Sequence, residues 1–360
     1  MPDFASALYL GLRHASESLG PWAQLTAGKP AALAEPPAAR HVAAGLAALT
    51  GVEGAVLARS TLHAFFDLFG ALGREPGRIL VDEGAYPIAR WGAERAACRG
   101  VPLSAFRHHD ADALRRLLDA GPDRPGRPWI VTDGFCVGCG RLAPLADYAA
   151  LARRHGGRLV VDDTQALGIL GADPHPGAPY GRGGGGSLRA GGVAGPEILL
   201  VASLAKGFGA PLAVVGGPRR VIERFSAGSE TRVHGSPASQ ADLLASERAL
   251  SINATSGEML RLRLAALVAR FRRGVLRLGL TPGPSSFPVQ RVGGLPEQGA
   301  AALHDRLEAL GVRCVLHRPV CARQARVAFL LTARHAPAEI DEAIRAIDRA
   351  LRGSGVAQRG

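Results

Sequence analysis

The sequence predicts an α/β protein, with a mostly parallel sheet flanked by helices in a large domain and a small α+β C-terminal domain after it. Four short runs carry the first part of that reading: Arg78-Ile79-Leu80-Val81-Asp82, Trp129-Ile130-Val131-Thr132-Asp133, Arg158-Leu159-Val160-Val161-Asp162 and Ile198-Leu199-Leu200-Val201-Ala202. They are apolar or β-branched, end in small or acidic residues and alternate with helical patterns, as βαβ units do. Length is the second observation: 360 residues, 47% hydrophobic and 21% charged, can bury a large core with a smaller one beside it. The third is a change of character near residue 255. Beyond it come an amphipathic helix (259–278), short strands (289–292 and 327–331) and a last helix (338–351) with Ile340, Ile344, Ile347 and Leu351 on one face.

The division that follows is an irregular arm rich in Ala and Pro (1–45), a large domain (46–254), a small domain (255–352) and a loose tail (353–360). Segment 180–195, with Gly183-Gly184-Gly185-Gly186 inside it, reads as a flexible loop before the fourth run, either a mobile lid or a linker. The sequence has no internal repeat.

Composition narrows the function classes. The formal charge is +12, but the arginines are scattered through helical patterns rather than gathered in a basic block with interleaved aromatics. Anionic small molecules or acidic carrier proteins are therefore expected as ligands, and nucleic acid is not. No apolar run approaches the roughly 20 residues of a membrane span, and Met1-Pro2-Asp3-Phe4 lacks the start of a signal peptide. The expected setting is the cytoplasm, away from membranes. Five cysteines, an odd number, argue against a disulfide framework. Cys136-Val137-Gly138-Cys139 has the CxxC spacing of zinc or redox sites. A zinc site wants a second matching pair, and Cys314 and Cys321, with six residues and His317 between them, match poorly. The expectation is two unpaired thiols in a tight Gly-rich loop, and no metal.

Of the 43 basic side chains only Lys29 and Lys206 are lysines, and Lys206 lies in Ser203-Leu204-Ala205-Lys206-Gly207-Phe208-Gly209, directly after the fourth run. Arginine stays protonated at any working pH, whereas a lysine amine can lose its proton in a suitable pocket and attack a carbonyl. That difference points to pyridoxal 5′-phosphate, whose sites need four kinds of group. Lys206 supplies the Schiff-base amine. Asp162 supplies a carboxylate for the pyridine nitrogen, so that the ring can draw electrons from the substrate α-carbon. Ser60, Thr61, Leu62 and Ser203 supply hydroxyls and amides for the phosphate, and Tyr86 an aromatic cover. Asp133, at the end of the second run, falls at the same edge, where ligands of such sheets bind.

In order and spacing, Val131-Thr132-Asp133-Gly134, Ala143-Pro144-Leu145, Val161-Asp162-Asp163-Thr164-Gln165-Ala166-Leu167-Gly168-Ile169-Leu170-Gly171 and the Lys206 segment resemble the α-oxoamine synthases. These are fold-type I pyridoxal-phosphate enzymes that include 8-amino-7-oxononanoate synthase and 2-amino-3-ketobutyrate CoA ligase. The similarity runs from about Leu46 to Leu351, with an echo of the family's N-terminal stretch at Tyr9-Leu10-Gly11-Leu12. The resemblance implies that Lys206 binds the cofactor and later acts as general base. It pairs Asp162 with the ring nitrogen and sets Ser203 on the phosphate. It puts Gln165 beside the phenolic oxygen and Tyr86 on the ring, both where the family has histidine, and brings His234 to the phosphate from a second subunit. It implies a homodimer that condenses an amino acid with an acyl thioester, on coenzyme A or an acyl carrier protein, usually with loss of carbon dioxide.

Two departures bear on the substrate. Glutamine cannot titrate as histidine does, and the family's Arg-Leu-Arg, whose second arginine grips the substrate carboxylate, reads Arg326-Val327-Ala328 here. Alanine cannot replace a bidentate fork, so Arg318, Arg323 or Arg326 must swing in, or the substrate lacks that carboxylate. An aminotransferase, decarboxylase or lyase of the same fold is the alternative enzyme, and a catalytically idle cofactor-binding protein the alternative outside catalysis.

Overall fold

A computed structural model describes residues 2–72, 77–121, 126–322 and 324–352. The expected tail at 353–360 lies outside the described residues. In chain order the elements are α1 (Pro37–Thr50), β1 (Gly54–Ala58), α2 (Thr61–Leu72), β2 (Gly77–Asp82), α3 (Pro87–Ala97), β3 (Leu103–Phe106), α4 (Ala111–Asp119) and β4 (Arg127–Asp133). A short hairpin of β5 (Phe135–Cys136) and β6 (Arg141–Leu142) leads to α5 (Leu145–Arg154), β7 (Arg158–Asp162), α6 (Ser187–Ala190), β8 (Ile198–Ser203), β9 (Ala213–Gly217), α7 (Arg219–Gly228) and α8 (Glu230–His234). Then come α9 (Gln240–Arg277), β10 (Val289–Arg291), α10 (Glu297–Ala309), β11 (Val315–His317), β12 (Arg326–Leu330) and α11 (Pro337–Arg352).

The main sheet has seven strands in the order β1-β9-β8-β7-β4-β2-β3. From β8 to β3 every pair is parallel, and β9 runs against both its neighbours. The four runs read from sequence are β2, β4, β7 and β8, adjacent at the centre. Their near-continuous apolar character follows from burial of both faces. On one face Ile79, Val81, Val131, Val160 and Val201 pack with Phe65, Phe69, Ala89 and Ala93. On the other, Leu80, Ile130, Leu159, Val161 and Leu200 pack with Leu114, Tyr148 and Leu151.

The C-terminal part is the antiparallel sheet β10-β12-β11 with α10 and α11. The helix expected from residue 259 starts at Gln240 instead, with a capping box in which Ser239 and Asp242 bond each other's backbone N–H. The division drawn at 254/255 thus falls inside one continuous helix, which packs against α1 at one end and α11 at the other. The arm is less irregular than expected, since α1 begins at Pro37. Its first residues cross the molecule: Leu330 N–H donates to Phe4 O (2.8 Å), Ala333 N–H to Tyr9 O (2.8 Å), and Ala31 N–H to Gly235 O (2.9 Å).

The glycine-rich segment is neither lid nor linker but a docked loop. Gly168 N–H donates to Gly184 O (2.8 Å) and Gly186 N–H to Leu170 O (2.7 Å), and a Cβ on Gly171 would collide with the Arg182 carbonyl. Arg261 of α9, 2% exposed, clamps it with bonds to Gly168 O (3.0 Å), Asn253 Oδ1 (2.8 Å) and Glu258 Oε1 (3.0 Å), while Asn253 Nδ2 donates to Gly183 O (3.0 Å). Removing the guanidinium strands buried acceptors at about 1–3 kcal/mol each. Arg261→Met is therefore expected to lower the stability measured by urea unfolding by about 3 kcal/mol and to open 180–186 to limited proteolysis. Unchanged stability and cleavage would show that the clamp is dispensable.

Candidate active site

Parallel strands deliver their C-terminal residues to one edge, and here that edge reads Ser203 (β8), Asp162 (β7), Asp133 (β4), Asp82 (β2) in consecutive order. Asp133 and Asp162 are directly paired in register. Lys206 stands in the turn after β8, and its Nζ lies 6.0 Å from the centroid of the Tyr86 ring. Tyr86 precedes α3, whose first residue is Pro87, and its N–H donates to Asp133 Oδ1 (3.0 Å). One hydrogen bond therefore ties the backbone that carries this ring to one of the carboxylates near the amine.

Burial dominates the electrostatics. It pushes the Asp133 carboxyl well above the ordinary carboxylate range, with the Asp162 charge adding to it. Burial likewise raises Asp162, against the hydrogen bonds from Thr164 and the charge of Lys206. The Lys206 amine is pulled below its ordinary value by loss of solvent, and the two aspartates oppose this. A lysine so placed releases its proton more readily than a surface lysine does, as a nucleophile toward a carbonyl must.

Around this trio, Thr164 N–H donates to Asp162 Oδ1 (3.0 Å) and Thr164 Oγ1 accepts from Ser203 N–H (3.0 Å), tying β7 to β8. Ala205 N–H donates to Ser203 Oγ (3.2 Å). Gln165 Oε1 accepts from the buried Tyr9 hydroxyl (2.8 Å), whose pKa burial holds above the ordinary range, so that it remains a donor. Tyr9 was legible only as the start of the Tyr9-Leu10-Gly11-Leu12 echo; its contact with Gln165 needs the fold. Asp163, absent from the expected site, is buried and pushed up to about 7 by that burial, and accepts from Ser187 N–H at both oxygens (3.1 and 2.9 Å).

Ser60 stands just before α2, its Oγ bonded to His63 Nδ1 (2.8 Å), with Thr61 and Leu62 in the first turn. Arg59 Nη1 donates to Pro237 O (3.2 Å), which ties the Ser60 turn to the segment after α8. His234, the last residue of α8, is exposed. Ala328 is fully buried on β12, and its partners in register are Arg291 and Val315. Neither described candidate replaces the missing arginine: Arg318 pairs with Glu297 (3.1 Å), and Arg326 donates to Leu295 O (2.9 Å) and Gln324 Oε1 (2.6 Å). Arg323 lies outside the described residues. The CxxC loop gains a third thiol that the sequence did not pair with it, Cys321, whose Sγ lies 3.4 Å from Cys136 Sγ; Cys314 is buried elsewhere.

A lysine amine facing two buried carboxylates at this edge of this sheet defines a pyridoxal-phosphate enzyme of fold type I. The family model for aminotransferase class I and II matches residues 32–347, and the chain belongs to that family, within its α-oxoamine synthase group. It is 32% identical over 311 residues to the 8-amino-7-oxononanoate synthase of Alkalilimnicola ehrlichii, covering 85% of this chain and 75% of the relative. It is 33% identical over 315 residues to that of Halorhodospira halophila, covering 86% and 74%. The fold is shared with Sphingomonas wittichii serine palmitoyltransferase (TM-score 0.83, 18% identity, 98% of this chain and 88% of that one). It is shared too with 8-amino-7-oxononanoate synthase from Francisella tularensis (TM-score 0.71, 18% identity, 98% of each chain).

The cofactor is pyridoxal 5′-phosphate, and the residues present fit it. Asp162 is a buried carboxylate bonded only to Thr164 among the described residues, and Lys206 Nζ has no hydrogen-bond partner among them. Asp133→Asn keeps the acceptor for Tyr86 N–H and removes a buried charge, so it is expected to stabilise the cofactor-free protein at pH 7. Because the folded pKa is raised, that gain is absent below the ordinary value near pH ~4, grows as pH rises from there toward the folded value, and is constant above it. Denaturation midpoints across pH check this, and a gain independent of pH would sink it.

Proposed function

We propose that this chain condenses an amino acid with an acyl thioester, carried by coenzyme A or an acyl carrier protein, with release of the free thiol and, as is usual for such condensations, of carbon dioxide. The observation that carries the reading is Lys206, drawn below its ordinary pKa, facing Asp162 and Asp133 beneath Tyr86. When bound, the cofactor supplies an electron sink for negative charge at the substrate α-carbon. Everything else falls to the chain's own groups. Lys206 holds the cofactor and, once displaced by substrate, moves a proton at the α-carbon. Asp162 keeps the ring nitrogen protonated, and burial makes that ion pair strong. Ser203, Ser60 and the first amides of α2 at Thr61 and Leu62 take the phosphate at a helix N-terminus. Asp133 holds Tyr86 in place over the ring, and Gln165, fixed by Tyr9, contacts the phenolic oxygen without exchanging a proton.

In the same reading the chain works as a large domain over 46–254 and a small domain over 255–352, with arm 1–45 laid across both. It acts as a cytoplasmic homodimer in which His234 of one subunit serves the phosphate of the other. No helix among the described residues is long and apolar enough to cross a membrane, and the scattered arginines give no nucleic-acid face.

The test is the release of free thiol from a panel of acyl-CoA substrates, with and without each amino acid. Amino-acid-dependent release is expected from the wild type, and a fall of about 10³-fold in Lys206→Ala, which should also lose the near-visible absorption of the lysine-bound cofactor. Transfer of the amino group to an oxo acid with no thiol released would replace this reading by an aminotransferase. Light scattering is expected to give twice the chain mass, and a monomer would remove His234 from the site.

A further inference from the structure

Three cysteines and two histidines from distant stretches meet beside the main sheet. Cys136 and Cys139 come from the β5–β6 hairpin, Cys321 from the loop after β11, and His108 and His109 from the loop after β3. Cys136 Sγ lies 3.4 Å from Cys321 Sγ and accepts from Cys139 N–H (3.4 Å), and Cys139 Sγ lies 3.4 Å from His108 Nε2 and 3.8 Å from His109 Nδ1. Backbone geometry permits this, because a Cβ on Gly138 would collide with Cys321 Sγ.

We propose that Cys136, Cys139, Cys321 and His108 form a structural zinc site. Sulfurs around a tetrahedral zinc, each about 2.3 Å from the metal, stand about 3.8 Å apart, close to the 3.4 Å between Cys136 and Cys321. His108, Cys136 and Cys321 have their ligand atoms within 4.8 Å of one another, and Cys139 joins them through His108, its Sγ 3.4 Å from the same Nε2 and its N–H donating to Cys136 Sγ (3.4 Å). A disulfide between Cys136 and Cys321 would use two of these groups and leave Cys139 and His108 unexplained.

The surroundings are those of a metal-bound imidazole. His108 Nδ1 bonds Asp82 Oδ1 at 2.6 Å, which leaves Nε2 for the metal and makes a carboxylate–histidine–metal chain. Asp82 is itself fixed, accepting from Gly84 N–H (2.7 Å), His109 N–H (3.1 Å) and Thr132 Oγ1 (3.3 Å). As the metal binds, the protons still held by the three thiols and by His108 Nε2 pass to solvent, which leaves three thiolates and a neutral imidazole as ligands. Three thiolates around a divalent ion leave one negative charge. Arg291 of β10 lies within electrostatic reach of all three sulfurs, and its buried Nε has no hydrogen-bond partner among the described residues.

With four protein ligands the site is closed, so it holds structure rather than reacts. It joins the β3, β5–β6 and β11 loops, and thereby fixes the C-terminal sheet against the edge that carries Lys206. His317 on β11 lies close enough to feel both Arg291 and Lys206.

The test is metal content of the full chain purified under reducing conditions, followed by chelation and titration with cobalt(II). About one zinc per chain is expected, and one equivalent of cobalt should give the visible bands of a tetrahedral thiolate site. Cys139→Ser and Cys321→Ser should lose the metal, Cys314→Ser should keep it, and Asp82→Asn should weaken it by about 10–100-fold. The cobalt spectrum is read on the wild type, so it stands even if a variant fails to fold. Failure of the reduced wild type to take up zinc or cobalt, full binding by folded Cys321→Ser, or a Cys136–Cys321 disulfide in the isolated protein would each overturn the proposal.

Discussion

Asp133 and Asp162 stand side by side at the ends of adjacent strands with the Lys206 amine before them, and all three have lost water to the fold. A low-dielectric edge penalises each charge separately, so the carboxyls drift upward and the amine downward. The trio is balanced only when something neutralises the carboxylates. A protonated ring nitrogen against Asp162 is that counter-charge, and a free amine on Lys206 is what burial already favours. The same desolvation that destabilises the edge prepares both the nucleophile and the partner of the cofactor ring, a trade of stability for function.

The surrounding bonds keep that edge from relaxing. Thr164 bridges Asp162 and Ser203, Asp163 holds the start of α6 by two backbone bonds, and Arg261 clamps the glycine-rich turn from the long helix. None of these groups need touch the substrate. Each removes a direction in which the carboxylates could swing toward water, and misplacement by an ångström is costly in such a site. The arm contributes in the same way: Tyr9, buried against Phe287, aims Gln165 from the far end of the sequence.

The central strands were legible because burial on both faces writes an unbroken apolar run. Strand β3, at the sheet edge with Ser104 and Ala105 exposed, carries no such run, and in β9 the run Leu212-Ala213-Val214-Val215, buried throughout, is cut short by Gly216-Gly217, so neither was read as a strand. The first half of α9 was hidden for a related reason. Its buried face there is Leu243 followed by Ala245, Ser246, Ala249, Asn253 and Gly257, one leucine and then small or polar residues rather than an apolar stripe. Lys206 stood out through composition, and the aspartates through their place after strands. Cys321 could not be paired with the CxxC loop from spacing, because 181 residues separate it from Cys139 and only the packing of β11 against the hairpin side brings them together. The glycine-rich loop misled for a further reason: its anchors are backbone carbonyls and one distant arginine.

Asp133 and Asp162 are paired in register on neighbouring strands, whereas Asp82 follows Val81, the partner of Val131, and so falls beside Thr132 on the other face of the sheet; the donors each aspartate receives separate them further. Asp82 accepts from Gly84, His108, His109 and Thr132 and so orients these partners. Asp133 accepts a single N–H, from Tyr86, which makes it a positioning group whose own charge is costly. Asp162 is bonded through Thr164 alone and faces the amine, so it retains capacity for a cation that the protein itself does not bring into contact. Strand and face together decide function along this edge: next to β8 a carboxylate serves the cofactor, one strand further it holds the backbone of the aromatic cover, and at β2, on the other face, it reaches the imidazole of the thiol cluster.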